Sequence, residues 1–150
     1  MRHLAWLVVM ICALAGCKED QNAPYLEFAG GGFIFNYRNA EAFYGFVAKP
    51  VRSLPEGSVI EAQFEVPHSP TPYIVTQDVK PGVLQFTFRT EDLRGIEKDH
   101  PYKAVMRLLA SPSGPEIARY ERTFKSDVAQ SGLPDRPLVI GPGYQANPVP

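Results

Sequence analysis

Side chains with the chemistry to act on other molecules are few in this chain, and the most reactive is the thiol of Cys17. It closes an apolar run, Leu4 to Leu14, through the small residues Ala15 and Gly16, and it is the only nucleophile in that neighbourhood. His68 lies in the proline-rich turn Pro67-His-Ser-Pro-Thr-Pro72, where no sequence neighbour would orient its ring, and His100 follows Asp99 at the mouth of a strand. Glu91, Asp92, Glu97, Asp99 and His100 together offer ligands that suit a hard cation such as calcium. Their spacing matches no EF-hand loop and Arg94 and Lys98 interleave with them, so the cluster reads as a solvated loop. Glu61 and Glu65 share one face of a strand, but residues i and i+4 of a strand lie ~13 Å apart. The paired carboxylates of a glycosidase lie within ~9.5 Å. Gly30-Gly31-Gly32 runs into Phe33-Ile-Phe-Asn-Tyr37, a strand rather than the helix N-terminus a phosphate cradle needs. The triplet therefore reads as a hinge, a bulge or a close approach of backbones. G-x-S-x-G and H-E-x-x-H are absent. The sequence implies no catalytic set, no metal site and no cofactor.

The segment Leu14-Ala15-Gly16-Cys17 resembles the lipobox of bacterial lipoproteins, in which the cysteine is acylated and becomes the mature N-terminus. Arg2 and His3 form a short n-region, and the apolar stretch has signal-peptide length. It falls short of the ~20 apolar residues that cross a bilayer. The resemblance implies a signal peptide over 1–16, a lipid on Cys17 and two or three acyl chains, where two already hold a protein stably at a membrane. Lys18, where aspartate would direct retention in enteric lipoproteins, implies the outer membrane with the domain facing the periplasm.

Cleavage before Cys17 leaves 134 residues, enough for one domain with a single core. Cys12 leaves with the leader and Cys17 carries lipid, so the folded part has no disulfide and must be stabilised by burial alone. Its 14 basic and 16 acidic side chains give a net charge of −2, which excludes a generic nucleic-acid binder. Residues 18–93 are net acidic and 94–125 net basic, a division that solvated strand faces explain.

Residues 17–24 are polar up to Pro24 and read as the lipidated cysteine followed by a flexible tether. Beyond them, prolines punctuate the chain, and strands are expected between them because proline cannot donate to a central ladder. Ile60, Ala62, Phe64 and Val66 alternate with Glu61, Gln63 and Glu65, and Leu84, Phe86 and Phe88 alternate with Gln85, Thr87 and Arg89. This period of two gives one face to a core and one to water. Phe33, Phe35 and Tyr37 make a third set, and Ala118, Tyr120, Arg122 and Phe124 a fourth. The segment Tyr102 to Ala110 is apolar on both faces apart from Lys103 and Arg107, as suits a central strand. No helix of three turns is expected, although Asn39–Phe43, Glu91–Ile96 and Ser126–Gln130 could each form a single turn. Seven or eight short strands in residues 25–130 predict an all-β, two-sheet β-sandwich, with a small antiparallel barrel as the alternative.

The stretch from Leu93 through Tyr102-Lys-Ala-Val-Met-Arg-Leu-Leu-Ala110, the turn Ser111–Pro115 and Ile117–Phe124 resembles the immunoglobulin and fibronectin type III class. That resemblance implies an immunoglobulin-like sandwich in which a tyrosine near the start of the penultimate strand bonds back to the preceding corner. Tyr102 fits either that role or that of a core aromatic, and the tryptophan typical of the third strand is missing. Residues 131–150 are rich in proline and glycine and read as an extended arm, with Leu138-Val139-Ile140 available as an edge strand.

Aromatic side chains are the remaining surplus: Phe33, Phe35, Tyr37, Phe43, Tyr44 and Phe46 crowd one short segment. Most belong to a core, but an aromatic hairpin that keeps part of its outer face exposed offers a surface for sugar rings or a protein. Tyr37, Tyr44 and, in the arm, Tyr144 are the candidate binding residues. The expectation is a lipid-anchored, non-catalytic module of the bacterial cell envelope that engages the membrane through its lipid and an envelope protein through its domain. Binding of a glycan or small ligand through exposed aromatics is the alternative.

Overall fold

The computed structural model describes residues 22–143 and 145–148, so Cys17 and Tyr144 lie outside the described residues. Seven strands carry the fold: β1 (Leu26–Asn36), β2 (Glu41–Pro50), β3 (Val59–Phe64), β4 (Tyr73–Asp78), β5 (Phe86–Arg89), β6 (Pro101–Leu109) and β7 (Glu116–Lys125). They form two antiparallel sheets, ordered β1-β2-β5 and β4-β3-β6-β7. This is a two-sheet antiparallel β-sandwich in which the fourth strand joins the sheet of the third, sixth and seventh. The sheet margins are tied to each other. The Tyr25 amide donates to the Tyr120 hydroxyl at 2.9 Å, and an Arg122 guanidinium N–H donates to the Phe28 carbonyl at 3.2 Å. On the other side the Gln77 amide group donates to the Thr87 carbonyl at 2.7 Å.

Strand parity builds the core. On β2, Ala42, Tyr44, Phe46 and Ala48 are buried, and on β3 Ile60, Ala62 and Phe64 face them. Phe86 and Phe88 on β5 complete the first sheet's inner face. Phe33 stacks on its strand neighbour Tyr44 at 4.7 Å, and across the gap Phe64 stands edge-on to Tyr44 at 5.2 Å and contacts Phe46 at 5.3 Å. The glycine triplet lies in β1 beside a bulge between Phe28 and Gly30. A Cβ on Gly31 would come within 2.6 Å of the Gly45 carbonyl and 2.7 Å of the Phe124 ring, so close approach is what requires glycine there.

Tyr102 fills both of its expected roles. Its ring is buried, and its hydroxyl accepts a hydrogen bond from the Glu97 amide at 2.9 Å, five residues upstream, which pins the corner before β6. Gln130 closes the same corner from beyond β7. Its side-chain oxygen accepts from the Ile96 amide at 3.1 Å, and its side-chain nitrogen donates to the Leu93 carbonyl.

Three sequence expectations are corrected. Leu84 is not on a core-facing strand: β5 begins at Phe86, and Leu84 is 83% exposed. The core does not stop at residue 130, because Leu133 is buried within it. Val139–Ile140 extends neither main sheet but forms β8, paired with β9 (Gln145–Ala146) as a separate hairpin. That hairpin is tied to the β1–β2 turn by the Leu138 amide, which donates to the Arg38 carbonyl at 2.8 Å. None of the three expected single turns of helix forms; a 3₁₀ turn lies instead at Gln130–Gly132, just beyond the expected turn at Ser126–Gln130.

The strand directions divide the molecule into two poles. The described chain enters at the pole that carries the β2–β3, β4–β5 and β6–β7 loops. It leaves β7 at the opposite pole, beside the β1–β2 turn, the corner before β6 and the β8–β9 hairpin.

Candidate interaction surfaces

Of the candidate binding tyrosines, Tyr144 lies outside the described residues, and Tyr37 and Tyr44 do not share a site. Tyr37 sits in the β1–β2 turn and is 46% exposed. Tyr44 has to be corrected: it is fully buried on the inner face of β2, and its hydroxyl donates to the Glu65 carbonyl. Burial, then the nearby Glu65 carboxylate, then Tyr102, hold its phenol far above the ordinary tyrosine range. Neighbouring residues on a strand point to opposite faces, so with Tyr44 inside it is Phe43 that lies outside.

The polar loop before β6 spends its carboxylates on separate partners. Asp92 accepts from the Ala42 amide at 2.7 Å and pairs with Arg94 at 2.8 Å. Glu97 lies 3.9 Å from the His100 ring, which packs edge-on to Tyr102 at 4.7 Å. Glu91 faces Tyr73 and, after burial, is the main cause of that phenol's raised pKa. Among the described residues no three His, Cys, Asp or Glu side chains converge as metal ligands.

The two outer sheet faces differ sharply. On β3, β6 and β7, Arg107 holds both Glu61, at 2.7 Å, and Glu116, which together raise its pKa. Glu121 takes Lys103 at 3.3 Å and Arg119 at 3.2 Å, and both hold its carboxyl below the usual range. The charges on this face largely neutralise one another, and exposed pairs of this kind contribute little to stability.

The outer face of β1-β2-β5 has an apolar centre instead, with the Lys49–Glu27 pair toward one end. Ile34, 53% exposed, stands opposite Phe43, and Gly32 stands opposite Gly45. With no side chains at the glycines the sheet surface sinks into a groove of about 520 Å³, walled by Ile34, Phe43, Val47 and Arg89. The Arg89 guanidinium lies 4.7 Å from the Phe43 ring centroid, covering part of its face. Gly45 is fixed by packing, since a Cβ there would lie 2.2 Å from the Phe88 carbonyl. Periodicity alone could not reveal this groove, because it depends on which of Phe43 and Tyr44 points outward. The sequence signal was the coincidence of two glycine positions on paired strands.

A second concavity, of about 570 Å³, opens at the pole where β7 ends, between His68, Arg94, Lys98, Gln130 and Asp135. The Gln130 side chain is buried and each of its polar atoms holds a backbone partner, so it serves the corner before β6. Neither the protein-family models nor the curated proteins yield a match to this chain.

Proposed function

We propose that this protein is a lipid-anchored module of the bacterial cell envelope that holds a protein-interaction domain at the membrane, without catalysis of its own. The observation that carries the reading is the segment Leu14-Ala15-Gly16-Cys17, followed by a short polar tether and a complete β-sandwich. A chain that enters the sandwich at one pole leaves the opposite pole and the outer sheet faces turned to the surroundings. The apolar groove at Ile34 and Phe43 is the surface best suited to a partner, since exposed apolar patches on an otherwise charged domain mark interaction sites. The outer membrane facing the periplasm is the location that Lys18 favours. No helix among the described residues is long and apolar enough to cross a membrane, so the anchor in this reading is the lipid on Cys17.

Labelling cells with a clickable fatty acid tests the anchor. The wild-type protein takes the label and fractionates with membranes, whereas C17S does neither; an unlabelled wild-type protein ends this reading. A photocrosslinking residue at Ile34 should capture an envelope protein that the same residue at Thr123, on the charged face, does not. The groove's volume is also within the range of small-ligand sites, which supports glycan or small-ligand binding as the second reading. Loss of the crosslink on adding cell-wall glycan fragments would favour it.

A further inference from the structure

We propose that the Val83-Leu84 tip of the β4–β5 loop inserts into the head-group layer of the membrane that holds Cys17. The inference rests on the lipid anchor proposed above and adds an orientation to it. Lys80, Pro81, Gly82 and Val83 form a turn closed by the Val83 amide on the Lys80 carbonyl at 3.3 Å. Gly82 has φ of 78°, the left-handed conformation that a type II turn demands of its third residue, and Pro81 supplies the φ suited to its second. This fixed turn projects Leu84, the most exposed large apolar side chain among the described residues, with Val83 also exposed. Water gives such a residue no stabilisation, whereas an interface takes up apolar side chains ~5–10 Å deep.

The tip stands at the pole where the chain enters. It shares a shallow cleft with Pro50, Arg52 and Leu54. Next to them, the Val51 amide donates to the Tyr25 carbonyl at 3.0 Å, and the Arg52 guanidinium lies 3.6 Å over the Tyr25 ring. Val51 is itself exposed and widens the apolar surface. From Cys17 to Asn22 there are five peptide units, which span at most about 18 Å. A lipid on Cys17 therefore holds this pole close to the bilayer. Lys80 opens the turn and is exposed, placed to keep its ammonium among the head groups.

The experiment uses the full acylated chain reconstituted into vesicles of phosphatidylethanolamine and phosphatidylglycerol, with and without brominated acyl chains. The single tryptophan, Trp6, precedes Cys17, so the processed protein has none and one introduced indole reports alone. L84W should shift to the blue in vesicles and be quenched by bromolipid at least about threefold more than Y37W at the opposite pole, as shallow insertion requires. Mass spectrometry of the N-terminal peptide is read on the same samples. Acylated protein in which L84W is unquenched, or quenched no more than Y37W, overturns the tip and leaves the anchor standing. A peptide without lipid on Cys17 overturns both.

Discussion

The hydroxyl of Tyr44, on the inner face of β2, donates across the sandwich to the carbonyl of Glu65 at the end of β3, at 2.5 Å. One buried hydrogen bond thus joins the two sheets at the centre of an aromatic core, and the backbone around it is doubly used. The Glu65 amide donates to the Lys103 carbonyl and the Glu65 carboxylate accepts from the Lys103 amide, both at 2.9 Å.

Tyr44→Phe should cost ~1–3 kcal/mol, because it leaves the Glu65 carbonyl without its buried donor. The same substitution should change the response to alkali. The folded-state pKa of Tyr44 is raised above the ordinary 10.0, so the native state keeps its proton where the unfolded chain releases it. Stability from this group is complete below pH 10 and falls above it, with a slope approaching ~1.4 kcal/mol per pH unit. Urea titrations from pH 8 to 11 should show a steeper decline for the wild type than for Y44F. Parallel declines would place the Tyr44 phenol in contact with water.

Tyr102→Phe removes the acceptor for the Glu97 amide while keeping the ring. A loss of ~1–2 kcal/mol is expected. Hydrogen exchange should locate it, with faster exchange of the Glu97 amide before any change in the β3–β6 ladder.

Phe64→Ala should cost ~3–5 kcal/mol, since the ring is fully buried between Tyr44 and Phe46. Thr76→Ala, on the solvent face of β4, should move the denaturant midpoint little. Glu65 would be a poor comparison, given its bond to the Lys103 amide.

Gly45→Ala drives a methyl group into the Phe88 carbonyl and should destabilise by about 1–3 kcal/mol or more, through separation of β2 from β5. At Gly30 a Cβ meets open space, and Gly30→Ala should be neutral or stabilising by up to ~1 kcal/mol. Thermal melts of the pair separate a packing requirement from a general intolerance of the triplet. Similar losses at both positions would refute the distinction.

Deletion of 143–150 removes β9 but keeps Gln130 and Leu133, the contacts that tie this end of the chain to the core. The melting temperature should fall by only a few degrees, as expected for a change of under ~1 kcal/mol.

Residue alternation was enough to place β3, with Ile60, Ala62 and Phe64 inward, and to give the class of fold. It failed at Leu84 because alternation continues past the end of pairing. Continued in register from Phe86 opposite Ala48, Leu84 would come opposite Pro50, which has no N–H for a ladder. Tyr44 was misread because two adjacent aromatics, Phe43 and Tyr44, leave the inward member undecided until the pairing with β1 is known. The groove was illegible for the same reason, while Tyr102 was legible because its position before a long apolar strand is tied to one local hydrogen bond.

The separation of entry and exit between opposite poles has a mechanical consequence. A pull between the two ends of the domain runs along the strands rather than across them. β1 is joined to β2 over ten paired residues, so such a load shears those rungs together instead of peeling them one after another. Survival under tension is then set by how fast the whole ladder gives way, a rate rather than an equilibrium stability. The longest ladder of the sandwich therefore lies in line with such a load.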